Sequence, residues 1–110
     1  MTTDLVYQLE GTIITNRGYE ISLHLKLWKH SNKRLPDFPE GYQFNWIAFN
    51  IVNPTNEFVL FDNHNQKPPH YHIDDKKKST FFTWISRSKA EKLFWQKVQE
   101  KFGYFELDWE

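Results

Sequence analysis

Residues 19–29 alternate along the chain. Ile21, Leu23, Leu25 and Leu27 fall on one side, and Ser22, His24 and Lys26 on the other. A period of two marks a strand buried on one face, the habit of antiparallel sheets. Residues 5–15 are rich in β-branched and aromatic types and predict a strand before it. Asn16-Arg17-Gly18 between them reads as a hairpin turn, because Asn and Gly tolerate φ > 0. Residues 30–41 form a polar loop with two prolines, and the nearly uncharged run 42–52 predicts a third strand. Asn53-Pro54-Thr55-Asn56 is a turn, 57–62 a fourth strand, and 70–74 (HYHID) a short fifth.

The period then changes. Ala90, Phe94, Val98 and Phe102 recur every four residues and, with Trp95, form an apolar stripe of helical spacing. Ser88-Lys89-Ala90-Glu91 matches a capping box, and Gly103 suits a C-cap. Lys89, Lys92 and Lys97 fall away from the stripe. The tail from Tyr104 to Trp109 adds an edge strand or packs on the helix end. The expected fold is α+β: one domain over residues 1–110, an antiparallel meander sheet of four to five strands, and one main C-terminal helix packed on one face.

Composition narrows the function. Aromatics make up 18 % of the chain, enough to carry much of a core and to argue against disorder. The absence of Cys excludes disulfides, a thiol nucleophile, a zinc ribbon and an iron–sulfur cluster. No run approaches 18 apolar residues, so no membrane helix is expected, and the opening MTTDLVYQLE lacks the parts of a secretory signal. A cytoplasmic location fits best. The formal net charge is zero but uneven. Residues 1–66 hold five basic and seven acidic side chains, 67–101 nine basic and four acidic, and 102–110 three acids alone. A local basic patch allows a nucleic-acid partner; a solvated lysine face is the alternative.

The chemistry concentrates in 61–75, FDNHNQKPPHYHIDD, which holds three of the five histidines. Histidine exchanges protons near neutral pH. In a strand His70 and His72 share a face, with Asp74 beside them and Tyr71 opposite. Three readings follow. In general acid–base catalysis without a cofactor, one histidine takes a proton from a ribose 2′-OH, another protonates the leaving oxygen, and Lys67 neutralises charge on phosphorus. In a metal site, Asp62, His70, His72 and Asp74 supply nitrogen and oxygen donors. In the third, the histidines brace a loop.

The order Phe61-Asp62-Asn63-His64, a Lys-containing spacer, then Pro69-His70-Tyr71-His72-Ile73-Asp74 resembles the signature of the TumE-like toxins of bacterial toxin–antitoxin loci. The specific part spans about 14 residues. Asn65-Gln66 stands where that spacer carries Gly, and the 30–41 loop is longer. The resemblance implies a small cytosolic toxin held off by a cognate antitoxin protein. Together the two lines give a metal-independent ribonuclease, with His70 and His72 as acid and base, His64 and Lys67 positioning the phosphate, and Asp62 orienting a histidine. Lys76, Lys77 and Lys78, extended by Arg87, Lys89 and Lys92, would track the RNA backbone. A non-catalytic binding module and a metal-dependent nuclease stay open, as does a homodimer. Trp46 and Trp84 are expected in the core, His24 at plain surface, and Trp28 available for base stacking or antitoxin contact.

Overall fold

The computed structural model describes residues 3–31, 38–63 and 67–106. Six antiparallel strands form one sheet in chain order: β1 (Thr3–Ile14), β2 (Glu20–His30), β3 (Tyr42–Asn50), β4 (Phe58–Asp62), β5 (His70–Ile73) and β6 (Thr80–Phe81). The helix α1 (Arg87–Phe102) follows. The α+β meander is as expected, but among the described residues the sheet has six strands and not four or five. The added β6 is two residues long, paired to β5 through His70–Phe81 and Tyr71–Thr80.

Register explains which side chains meet. Leu25 faces Trp46, Trp46 faces Phe61 and Phe61 faces Tyr71 across successive ladders. This row lies on the side that α1 covers: Phe94 meets Trp46 at 5.9 Å and Phe61 at 5.3 Å, both edge to face. Ala90, Phe94, Trp95, Val98 and Phe102 are all buried, so the apolar stripe is the packed face of the helix. Trp84 is half-buried against Tyr42 and Phe44. The tail packs: Phe105 is buried against Trp95 and its carbonyl accepts from the Gln99 amide. The part of the tail from 107 onward lies outside the described residues.

Two local expectations need correction. The N-cap is Ser86 and not Ser88; Ser86 is extended and its Oγ accepts the Lys89 N–H at 3.2 Å. Glu91 therefore does not close a capping box. Its carboxylate accepts from the Tyr7 hydroxyl at 2.8 Å, tying β1 to the helix. Lys97 is not among the buried helix residues; its ammonium lies 5.7 Å from the Tyr71 ring centre. Gly103 does end the helix, with φ 108, and a Cβ there would meet the Asn16 Oδ1 at 2.6 Å.

Candidate active-site pocket

Alternation sends the even residues of β4 and β5 to the face opposite the helix. Asp62 and His70 are register partners, so their side chains meet there. The His70 Nε2 approaches the Asp62 Oδ1 to 2.8 Å, with side chains 4 % and 5 % exposed. The other nitrogen, Nδ1, faces the Pro68 carbonyl at 2.8 Å. The His72 Nδ1 faces the Lys78 carbonyl at 3.0 Å. A carbonyl oxygen only accepts, so each Nδ1 carries a proton. Nε2 is then the nitrogen left for other partners, and in His70 it faces Asp62. The two rings stand edge to face, 4.9 Å apart.

Local sequence builds this arrangement. Pro68 and Pro69 stiffen the entry to β5, and the Pro69 carbonyl accepts from Phe82 N–H, holding β6 alongside. Beyond β5, the Asp75 carboxylate accepts the Lys77 N–H and its carbonyl the Lys78 N–H, a turn that presents the Lys78 carbonyl to His72. Asn63 is fully buried and extends the β3–β4 pairing by side chain, accepting from Phe44 N–H and donating to the Tyr42 carbonyl. It fixes the end of β4 next to Asp62.

A cavity of about 360 Å³ opens over these groups, lined by Asn45, Leu60, Asp62, Lys67, His70, His72 and Lys76. Five of these come from the sequence reading. Asn45 and Leu60 do not. Their signal was parity: each stands beside a core residue, Trp46 or Phe61, and so points the other way.

The remaining candidates are distributed otherwise. His64 lies outside the described residues. Asp74 does not share the histidine face. It takes φ 66, which breaks the alternation; its Oδ1 accepts the Phe58 N–H and its Oδ2 pairs with the Lys101 ammonium at 2.6 Å. Asp62, His70 and His72 form the donor cluster without it. The basic strip is split. Lys76 lines the cavity and Lys77 and Lys78 are exposed on the adjoining turn. Lys89 and Lys92 border a separate groove of about 300 Å³ with Phe82, Ile85 and Leu93, on the helix side. Arg87 lies over the Tyr42 ring and 3.8 Å from the Glu91 carboxylate. Trp28 is half-buried on the histidine side of β2, paired with Gln43 and Leu5.

The two histidines are held unequally: the His70 ring is contacted at both nitrogens, by Asp62 and the Pro68 carbonyl, and the His72 ring through Nδ1 by the Lys78 carbonyl. Set against known proteins, the chain matches no family model, no curated protein and no solved structure. Among the described residues no helix is long and apolar enough to cross a membrane.

Proposed function

We propose that the chain is the toxin of a toxin–antitoxin pair and that its pocket cleaves RNA phosphodiester bonds. The observation that supports this reading is the convergence of Asp62, His70 and His72 with Lys67 and Lys76 around one cavity. RNA cleavage by the 2′-OH needs a group that activates that oxygen, a proton for the leaving oxygen and positive charge beside phosphorus. The buried histidines and aspartate serve the first two needs, and the lysines the third. Lys77 and Lys78 would contact the flanking backbone. The TumE-like segment 61–74 supplies the toxin part of the reading, with a cognate antitoxin as partner and the cytoplasm as site of action.

The test is induced expression of the wild-type chain beside His70→Ala/His72→Ala in a bacterium, following growth and total RNA together. Arrest with RNA loss in the wild type alone is expected. Arrest by both proteins, or by neither, overturns the reading. Binding of RNA should also weaken steeply with salt.

One observation favours a second reading. Both Nδ1 bonds run to backbone carbonyls of flanking segments, so the histidines also brace the loops around β5. In a binding module with braced loops, the same substitutions lower stability and leave RNA intact.

A further inference from the structure

We infer that Asp62, His70 and His72 hold a divalent first-row transition ion. The inference rests on the pocket being the working site, and it supplies that site's cofactor.

The donor set comes first. Two imidazoles and one carboxylate suit Zn²⁺, Mn²⁺ or Ni²⁺, whereas Mg²⁺ and Ca²⁺ favour oxygen alone. The spacing fits as well. One donor atom from each residue lies within 4.8 Å of the others, and His70 Nε2 and Asp62 Oδ1 are 2.8 Å apart. Metal bonds of about 2.1 Å put neighbouring donors about 3.0–3.4 Å apart. Side-chain movements on the order of 1 Å complete the triad.

The outer nitrogens carry the argument furthest. A ligating histidine typically donates its second ring N–H to a carbonyl or carboxylate, which fixes the tautomer and aims the free nitrogen. His70 and His72 both do this, to Pro68 and Lys78. Beside them, the Asp62 carboxylate meets the Nε2 edge of His70 at 2.8 Å.

Two imidazoles and a carboxylate on one side of an ion leave its other side open. Here the open side is the cavity, where Lys67 and Lys76 stand. Their charge opposes a bare cation and favours one that arrives with a phosphate group. With the ion bound the imidazoles are ligands and no longer acid and base; the ion would polarise a phosphoryl oxygen, and its acidified water would take over the proton transfer.

The test uses the full chain, dialysed against chelator and titrated calorimetrically with Zn²⁺, Mn²⁺ and Ni²⁺, with and without inorganic phosphate. Visible absorption of bound Co²⁺ is the second readout. His72→Gln removes the imidazole nitrogen that would bind the ion and keeps a polar side chain of similar length. Asp62→Asn removes the charge, and His24→Ala and Asp74→Asn serve as controls. One ion per chain is expected, with affinity at least ten-fold weaker in His72→Gln and Asp62→Asn and unchanged in the controls. Should Asp62→Asn fail to fold, His72→Gln decides. Absence of stoichiometric binding overturns the inference, as does affinity that survives His72→Gln or falls with His24→Ala. The two readings fail separately. An ion lost with His72→Gln in a chain that leaves RNA intact keeps the metal site and removes the nuclease. RNA cleavage that needs the pocket in a chain that binds no ion does the reverse.

Discussion

Asp62 and His70 are direct partners in the β4–β5 ladder, and their side chains meet at 2.8 Å with almost no access to water. Two polar groups placed opposite each other on a sheet are in contact without further help from loops. Their burial makes each dependent on the other. Removing one partner of a buried polar pair costs about 1–3 kcal/mol, because the survivor is left unsatisfied away from water. Asp62→Ala and His70→Ala are each expected to destabilise the fold by about that much. The double variant should lose clearly less than the two together. Urea unfolding of the three variants checks this; additive losses would mean that the pair is not coupled.

Asp74 gives the opposite expectation. Its carboxylate caps the Phe58 N–H and pairs with a largely covered Lys101, and neither partner lines the cavity. Asp74→Asn retains an oxygen acceptor and a residue type that tolerates positive φ. It should change stability by less than about 1 kcal/mol. Asp74→Ala should cost about 1–2 kcal/mol through the lost acceptor and the strained φ. RNA cleavage should survive both. Its loss in Asp74→Asn with the fold intact would place Asp74 back in the site.

Helix capping separates two serines. Ser86→Ala removes the acceptor for the Lys89 N–H and should cost about 1 kcal/mol. Ser88 is exposed within the first turn, so Ser88→Ala should stay within about 0.5 kcal/mol of wild type. Thermal melts of the two variants compare them directly. A larger loss at Ser88 would move the cap to the position that the capping-box motif suggests.

Tyr7 supplies a pH dependence. Burial pushes its phenol well above the ordinary value, and the hydrogen bond to Glu91 and that carboxylate's charge push the same way, against a smaller opposing pull from Arg87. The folded chain therefore keeps the proton longer than the unfolded chain. Stability from this group is complete below about pH 10 and is lost progressively as pH rises above it. Urea midpoints measured from pH 8 to 11.5 should fall at the alkaline end, and fall less steeply in Tyr7→Phe. Parallel curves would show that Tyr7 is not the group responsible.

Long periodic segments were legible from the chain alone. Leu23, Leu25 and Leu27 declared a half-buried strand, and Ala90, Phe94, Val98 and Phe102 the packed side of a helix, because each burial pattern repeats along its own element. Thr80-Phe81 is too short to show any period, so β6 went unread. The joint presence of Asp62, His70, His72 and Lys67 was legible because they lie within a few residues of one another. Asn45 and Leu60 enter through strand register, which no local window contains. Asp74 was misplaced because alternation was carried one residue past the point where a positive φ ends it.

The groups that orient the two histidines are peptide oxygens, at Pro68 and Lys78. Replacing a side chain does not remove a peptide oxygen. The alignment of the rings is therefore insulated from most point changes in the flanking segments, and Lys78 itself can vary without loss of its role. Its weak point is chain length. One residue inserted into or deleted from 75–79 would shift a different carbonyl beneath His72 and turn the ring. Homologous chains that keep this pocket should hold the length of that turn constant.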